Sequence, residues 1–536
     1  MESTMIRNQV TSKTSSKFQW AALIVLMMAQ IGTSGDNAIL LVATSSFVDS
    51  LHATIGEVQL ANTVYSLCAG SFVIIGGMLG IIIGWKRIFR IGAMLCALGE
   101  LVVAISPTIE VLTWGGRLTI GLGASLMIPS VLGLIPTIYK GNERAIAFGA
   151  AGAAAGIGLC IGPILAGVLI DSLGWRFAFG CMAVYFILVV FASYVIPNSK
   201  RTAEKAKMDY VGASMTAAGL FFIIISISKC SSWGIIEPLD APFTVFGISP
   251  SIPMCLFGAA ILCLLVPVEK RIELKRGSAL IPQSFLKTPQ VRDGSMLQGM
   301  LFLILGGEGI LINTYLQLVG GFNSTTTGLA VVSMAFPMIA LSIGLPRYWP
   351  KASPKWICRS GIIIAALSTI ILSMSLENNG VFVTLYIGLF MMGSGLGLVS
   401  SQASDIVATA VNPRDAQQSS GFQIAARDVG QAVGVAVLGM VLLFVLNGVM
   451  HQEIKQSNLI GEQTKDKIVE LKNINFMSNQ AFTEYVQPIA KNSQEVTALS
   501  QINEHARKRA TQAGVLAMGI IVFLFLFGTR NIPEKK

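Results

Sequence analysis

The sequence predicts an all-α polytopic membrane protein. Of its 536 residues, 53% are hydrophobic and only 12% are charged, whereas a soluble globular domain has about 25% charged residues. The apolar residues are gathered into runs of about 20 or more, which is the length that crosses a bilayer as a helix. This composition excludes a soluble globular domain.

About fourteen apolar runs are candidate spanning helices. The first follows a polar segment, residues 1–18, and is too long for a signal-peptide core, so we expect it to be retained. The runs lie near residues 19–44, 59–83, 88–106, 110–138, 145–170, 177–196, 211–229, 243–267, 293–318, 325–346, 357–376, 381–409, 416–447 and 510–528.

The distribution of positive charge predicts the orientation. If the amino terminus is inside, the inner segments hold the basic clusters, whereas the short outer loops hold only Arg176 and Lys229. Such asymmetry over short loops follows the positive-inside rule. We therefore expect a multi-pass protein of the cell membrane with both termini in the cytoplasm. The net charge of +10 then reflects topology and does not indicate nucleic-acid binding.

The cysteines and the one long polar loop complete the outline. The eight cysteines all lie in or beside apolar runs, which predicts neither a disulfide framework nor a metal site, and we expect no cofactor.

The polar stretch at about 451–508 falls outside, between the last two runs. Two interpretations of it remain open: a folded cap or hairpin over the outer mouth, or a solvated loop.

Asp36 is the most informative single residue, because it stands alone in the first apolar run. An ionised Asp at the centre of a membrane helix costs roughly 2.5 to 3.5 kcal/mol, and such residues usually face a cavity on an ion or substrate path. No His lies in the apolar runs, so carboxylates are the groups available there to carry a proton. The alternative is a polar residue that reaches the outer interface.

Two more charges are expected at the depth of Asp36. Glu100 and Arg117 lie in the outer portions of the third and fourth runs. A buried guanidinium needs a carboxylate partner. One hypothesis is a charge relay in which Arg117 tunes the proton affinity of the acids; the other is a static buried ion pair.

The second half of the chain has its own intramembrane charges. Glu308 lies between glycines near the middle of the ninth run, which suits a proton site or a counter-charge for a cationic substrate. Asp405 lies toward the inner end of the twelfth run and is either a second coupling acid or a solvated helix-end residue. Arg427, in the thirteenth run, is a candidate for a second charge relay.

The fifth run is rich in small residues, which allow another helix to approach closely, and its proline permits a bend. The residues are Gly152, Gly156, Gly162, Pro163 and Gly167. Their pattern resembles the antiporter signature of the fourteen-helix drug/proton antiporters of the major facilitator superfamily, the quaternary-ammonium and multidrug exporter type. Arg117-Leu118-Thr119-Ile120-Gly121 resembles the conserved-arginine motif of the same superfamily, with Ile120 in place of Gln.

Other motifs follow in the order of that family. The segment around Asp36 resembles the first-helix motif, with Ala38, Leu41 and Ser45 in place of the usual Thr, Asn and Pro. The loop between the second and third runs resembles the superfamily's gating loop through Gly77, Gly84, Lys86 and Arg87. Ile81 and Ile82 stand where that loop normally has Asp and Arg, which leaves the balance of the inner gate open.

The resemblance implies a major facilitator fold with two six-helix bundles and an inserted helix pair. The expected segments are a cytoplasmic amino terminus at 1–18, a first bundle at 19–200, inserted helices with linkers at 201–290, and a second bundle at 291–536. The implied function is proton-coupled export of a small lipophilic, cationic drug by a monomer through alternating access. Substrate contact or ordinary packing is expected for Met27, Met28, Tyr65, Tyr315, Gln317 and Phe336.

Two rival functions remain. The same fold could export a lipid, a lysolipid, a fatty acid or a siderophore, and loss of cation export alone on neutralising Glu308 would separate these cargoes. A membrane sensor with a transporter-like body, binding its ligand through the outer loop, is the other rival. An enzyme is not expected, because the sequence has no nucleophile-base pair and no metal-ligand cluster.

Overall fold

A computed structural model gives the architecture. It describes residues 19–36, 39–40, 43–51, 53, 55–197, 209–234, 236, 238, 241–276, 287–322, 324–376, 382–411, 419–470, 474, 476 and 479–534. These residues form helices and connecting turns, without a β-strand. The polar segment 1–18, the basic linker 201–208 and the motif residues Ala38 and Leu41 lie outside them.

The first half of the chain contains seven helices in the described residues. They are α1 (residues 19–36), α2 (Thr44–Leu51), α3 (Ile55–Ile83), α4 (Trp85–Ile105), α5 (Leu118–Ile138), α6 (Gly141–Leu173) and α7 (Trp175–Ala192). A π-helical segment, Val111–Arg117, leads directly into α5. Two further helices, α8 (Tyr210–Trp233) and α9 (Ser251–Arg276), lie where the sequence predicts the inserted pair, and we refer to them by that name.

The second half of the chain contains nine helices in the described residues. Its helices are α10 (Pro289–Glu308), α11 (Thr314–Leu318), α12 (Ser324–Tyr348), α13 (Pro354–Ser375), α14 (Phe382–Ala410), α15 (Ser419–Gln456), α16 (Glu462–Glu470), α17 (Asn479–Val486) and α18 (Ser493–Leu524). A second π-helical segment, Gly309–Asn313, joins α10 to α11. Twelve described helical stretches are long and apolar enough to cross a membrane, so the polytopic prediction is confirmed, whereas the count of fourteen stays a prediction.

Single glycines separate two pairs of consecutive helices. Gly84, between α3 and α4, has φ of 108°, and Gly174, between α6 and α7, has φ of 83°. Residues that have a side chain rarely adopt such positive φ values, whereas glycine adopts them readily. The chain therefore reverses within one residue at each site, which keeps the neighbouring helices close together.

The two halves of the molecule meet mainly at one end. We call this the inner end; α1 begins there and α18 ends there, and the charge distribution predicts that it faces the cytoplasm. Near it, α6 packs on α12 and α14, while α3 packs on α15. A Cβ atom on Gly149 would lie 2.1 Å from the Ser342 backbone oxygen, and one on Gly152 would lie 2.3 Å from Ser400 Oγ. Farther along α6, Gly158 instead packs on Ile31 of α1.

The inserted pair lies over one seam between the halves. Helix α8 packs on α9 and also contacts both α3 and α15. Its Ile224 approaches so closely that a Cβ on Gly70 of α3 would lie 2.5 Å from Ile224 Cδ1. The seam between α3 and α15 is therefore covered by a further helix.

The long outer stretch contains two short helices, α16 and α17, and we call the described residues of 457–492, which connect α15 to α18, the outer hairpin. Its Ile468 and Phe482 are buried in the hydrophobic core of the second half. Asn447 of α15 bonds to both backbone groups of Ile474, accepting from its N–H at 2.7 Å and donating to its carbonyl at 3.3 Å. The described residues of this stretch therefore pack against the second half, whereas a cap over the outer mouth stays a prediction.

A buried arginine fastens the outer hairpin to the membrane bundle. Arg507 of α18 is fully buried. It donates to the Leu318 carbonyl at 3.0 Å, to the Asn503 carbonyl at 3.3 Å and to the side-chain oxygen of Asn479 in α17. The guanidinium thereby joins α17, α18 and the end of α11, where a helix leaves carbonyl groups without intrahelical partners.

Candidate functional site

Asp36 and Arg117 form a buried ion pair in the first half. Asp36 ends the described part of α1, and Arg117 lies at the junction of the π-helical segment and α5. Arg117 Nη1 donates to both Asp36 carboxylate oxygens, at 2.8 and 2.9 Å, and both side chains are 0% exposed. The other two guanidinium nitrogens, Nε and Nη2, have no hydrogen-bond partner among the described residues.

Tyr65 and Glu100 complete this group, which we call the acidic cluster (Asp36, Glu100, Arg117 and Tyr65). The Arg117 Cζ atom lies 4.5 Å from the centre of the Tyr65 ring, and the Tyr65 hydroxyl donates to the Thr33 carbonyl at 3.2 Å. Glu100 of α4 is fully buried and interacts electrostatically with Asp36 and Arg117. The cluster therefore contains two carboxyl groups and one guanidinium.

The charge count of the acidic cluster has a chemical consequence. One guanidinium balances one carboxylate, and a second buried carboxylate without its own cation is costly. The cluster is neutral when it holds one proton and carries a net negative charge when it holds none. One proton therefore decides whether the cluster is neutral or charged.

A narrow cavity lies between the two halves. Its volume is about 10 Å³, which is room for about one water molecule. Three of its lining residues belong to the first half and the rest to the second half. They are Leu132, Phe148, Gly152, Gln298, Leu301, Phe302, Leu305, Met338, Ser400, Ser404 and Arg427. The halves are thus packed nearly into contact here.

Helix α10 supplies one wall of this cavity. Residues 298, 301, 302 and 305 line it, and helical spacing continues that face to Glu308. Glu308 is 4% exposed, with its Oε1 atom unpartnered among the described residues. The helix changes to π geometry directly after Glu308, and such π segments are frequent at functional sites. Arg427 of α15 places its Cζ atom 4.0 Å from the Phe302 ring centre.

Asp405 is paired across the two halves. Arg144, near the start of α6, donates through Nε to Asp405 Oδ1 of α14 at 3.1 Å. Asp405 is 8% exposed and Arg144 is 23% exposed. The pair lies at the inner end, so Asp405 is neither a free solvated acid nor part of the acidic cluster. It is a contact that opening of the inner end would break.

The gating-loop residues bond within the first half. Lys86 donates to the Tyr194 carbonyl at 3.2 Å and to the Ile196 carbonyl, both in the short segment that follows α7. A cation near helix-terminal carbonyls is favourable. Arg87 is exposed, whereas Gly77 and Ile81, the residue that replaces the usual Asp, are buried. Lys86 therefore ties α4 to α7.

The glycine motif of α6 faces two directions. Gly152 and Gly156 face the second half; a Cβ on Gly156 would lie 3.0 Å from Met338 Cε. Gly162 packs on α1, where a Cβ would lie 2.9 Å from the Gly35 Cα, and Gly167 is buried. The side chain of Pro163 lies outside the described residues. The motif thus lets one helix contact both its own half and the other.

The remaining predicted contact residues are scattered. Met27 and Met28 pack against the core of the first half, and the Tyr315 hydroxyl donates to the Leu376 carbonyl in the second half. Phe336 is 66% exposed on the outside of the bundle, and the Gln317 side chain lies outside the described residues. Sequence reasoning did not single out Arg144, Gln298 or Met338, although Gln298 is a polar residue in an apolar run and could have been noticed.

The comparisons with known proteins settle the family. A sequence model of the Major Facilitator Superfamily matches residues 26–435, which takes in residues from both halves. The chain belongs to the Major Facilitator Superfamily. It is accordingly a multi-pass membrane transporter rather than an enzyme. The resemblance noted from the motifs is confirmed at the level of the superfamily, while the fourteen-helix type stays a prediction.

Relatives of this transporter include proteins named for antibiotic export and resistance. It is 29% identical to the "probable actinorhodin transporter" of Streptomyces coelicolor over 80% of this chain and 73% of that one. It is 26% identical to the "puromycin resistance protein pur8" of Streptomyces alboniger, over 79% and 82% of the two chains. It is also 26% identical to the "quinolone resistance protein NorB" of Staphylococcus aureus, over 74% and 83%.

Solved structures support the same fold. The human organic anion transporter MFSD10 is 12% identical, with a TM-score of 0.59 over 96% of this chain and 99% of that one. The proton:xylose symporter XylE is 12% identical, with a TM-score of 0.56 over 97% of both chains. At this identity the likeness concerns the fold alone.

Proposed function

We propose that this transporter exports small lipophilic drugs, including cationic ones, in exchange for protons by alternating access. The acidic cluster carries the proposal, because it pairs two buried carboxyl groups with one guanidinium. Relatives named for antibiotic transport and resistance support drug export as the direction of transport.

In alternating access, each group of charged residues acts at a different step of the transport cycle. Proton entry from outside neutralises the acidic cluster and lowers the cost of moving its acids through an apolar intermediate. Glu308, on the cavity face of α10, is a second acid that meets either a proton or a basic group of the cargo. The Arg144–Asp405 pair and the contacts of Gly149 and Gly152 hold the inner end closed, so loading from the cytoplasm requires them to part.

The proposal also covers the oligomeric state, the membrane location and the moving parts of the protein. The protein works as a monomer in the cell membrane, with both termini in the cytoplasm, as the basic residues of the inner segments favour. Residues 19–200 and 291–536 act as the two rocking bundles, and residues 201–290 supply the inserted pair that moves between them. No cofactor takes part in this scheme.

Proton-coupled export can be measured in inside-out vesicles. A proton gradient is imposed, and its collapse is recorded on addition of a lipophilic cation such as ethidium. We expect a signal from the native chain and its loss in Asp36→Asn, Glu100→Gln and Glu308→Gln. The matched control is Glu110→Gln, an exposed acid in the turn before the π-helical segment, which should leave the signal unchanged.

The outcomes separate the rival functions. A native signal that survives all three substitutions refutes the assignment of the acids. Absence of a native signal with any cation, together with export of a labelled lysolipid or fatty acid, favours the lipid-exporter alternative. Retained transport after deletion of the outer hairpin argues against the sensor alternative.

A further inference from the structure

Arg427 is a buried cation that faces the cavity between the halves. Its side chain is 6% exposed and lines the cavity, and its Nε atom has no hydrogen-bond partner among the described residues. The other two arginines that are buried among the described residues are bonded: Arg117 to Asp36, and Arg507 to three oxygen atoms. Since a buried charge that lacks hydrogen bonds is costly, Arg427 needs a separate explanation.

The acids nearest to Arg427 in sequence or along the cavity are directed elsewhere. Asp428 follows it on the helix, about 100° around the axis, and its carboxylate lies near Gly70 of α3. Asp405 follows the cavity-lining Ser404 but is bonded to Arg144. Asp428 interacts with Arg427 electrostatically, yet neither Asp428 nor Asp405 forms an ion pair with Arg427 among the described residues. The guanidinium is thus available on its cavity side.

The surroundings of Arg427 suit a planar acidic group on an aromatic molecule. The Arg427 Cζ atom lies over the Phe302 ring, 4.0 Å from its centre, so the guanidinium packs against an aromatic face. Gln298, one turn away on α10, donates from its amide to Ser404 Oγ, so polar groups lie beside the ring. A guanidinium presents parallel N–H groups that can donate to both oxygens of a carboxylate in a bidentate contact.

We propose that Arg427, Phe302 and Gln298 form a subsite for an ionised acidic group of the cargo, carried on an aromatic framework. Glu308 lies six residues beyond Phe302, about 9 Å along α10. An acid and a basic group at this spacing recognise opposite ends of a zwitterion. The cargo class is therefore aromatic acids and zwitterions as well as lipophilic cations.

This assignment rests on the proposed function in one respect: the cavity has to be the transport path. In the present conformation it has room for about one water molecule, so the cargo enters only when the halves part. Gly152, on α6 of the first half, lines the cavity opposite α10 and moves away from α10 in such a movement. Arg427 and Phe302 both belong to the second half and stay together.

Binding to the purified protein tests the subsite without requiring proton coupling. The probes are aromatic acids paired with their methyl esters: 1-naphthoate, anthracene-2-carboxylate and the quinolone norfloxacin. Each ester keeps the ring system and lacks the negative charge. We expect the native protein to bind at least one acid more tightly than its ester, and Arg427→Gln to lose about 10- to 100-fold affinity for that acid with the ester unchanged.

Two variants control for indirect effects. Arg427→Lys keeps the charge without the planar fork, so it should retain part of the preference for the acid. Arg176→Gln removes an exposed guanidinium at the start of α7 and should leave both probes unaffected. Thermal unfolding of each variant establishes that the protein is folded before binding is measured.

The inference fails if the native protein binds no acid more tightly than its ester. It also fails if Arg427→Gln weakens acid and ester equally, because that result would indicate a structural role for the cation–π contact. Neither result bears on the vesicle assay with ethidium. Conversely, loss of proton coupling in that assay leaves the binding comparison intact, so the two proposals stand or fall separately.

Discussion

The Arg144–Asp405 pair should set how much of the time the inner end is closed. It is the ion pair between α6 of the first half and α14 of the second among the described residues. Asp405→Asn removes one charge while keeping the size and most of the hydrogen-bonding capacity of the side chain. We expect this variant to populate the inner-open state more than the native protein does.

The burial of the two partners sets the size of the effect. Exposed ion pairs contribute about 0.2–1 kcal/mol, and hydrogen bonds to charged groups in protected positions contribute about 1.5–3 kcal/mol. With Asp405 8% exposed and Arg144 23% exposed, the pair falls between these ranges, at about 1–2 kcal/mol. That free energy changes the ratio of closed to open molecules by about 5- to 30-fold.

Distance measurements in reconstituted bilayers can detect such a change. Spin labels are attached through unnatural amino acids at positions 143 and 347, at the inner ends of α6 and α12, because the exposed Cys263 would also react with a cysteine label. The distance distribution should gain a longer component in Asp405→Asn and in Arg144→Gln. The charge-swapped chain, Arg144→Asp with Asp405→Arg, should restore much of the shorter component.

The reasoning is refuted if both single variants leave the distance distribution as in the native protein. It is also refuted if the charge-swapped chain is more open than either single variant, because then the attraction between the two side chains is not what closes the end. High salt offers a further control, since it should weaken the native pair only slightly when the carboxylate is this well buried.

Three other contacts predict the effects of single substitutions. Arg117→Met should lower the free energy of unfolding by about 3–5 kcal/mol, because it leaves the Asp36 carboxylate buried without a cation; thermal unfolding in detergent should recover when Asp36→Leu is added. Gly149→Val should abolish transport with normal folding, because its Cβ would lie 2.1 Å from the Ser342 oxygen and keep the inner end open in the same distance measurement. Glu495→Ala removes the acceptor of three hydrogen bonds in the outer hairpin, about 2–4 kcal/mol in sum, and should speed limited proteolysis there while drug export continues.

Sequence reasoning predicted proximity best for charged residues that lie at the same depth in different apolar runs. Asp36, Glu100 and Arg117 are charges in apolar runs, and the run directions alone predict a common depth. The structure brings the three together. The cost of burying charge in a membrane makes such residues rare, so each one that occurs carries much information about position.

Sequence reasoning was less informative about which side of a helix faces the interior of the protein. Phe336 was a candidate cavity residue and is 66% exposed, whereas Met338, two positions later, lines the cavity. In a helix that is apolar all round, the sequence pattern does not distinguish a lipid-facing side from a packed side. The bond between Arg144 and Asp405, 261 residues apart in sequence, is likewise set by tertiary packing.

The location of each charge relative to the two halves determines what it can do during transport. Asp36, Glu100 and Arg117 all belong to the first half, so rocking of the halves moves the acidic cluster as a unit and alters only its access to water. Arg144 and Asp405 belong to different halves, and their bond must break in each cycle. Arg427 belongs to the second half and faces the first across the cavity, so parting of the halves would expose a cargo bound there. In the proposed scheme, proton binding, gating and cargo recognition thus rest on three separate groups, which is why single substitutions should separate them.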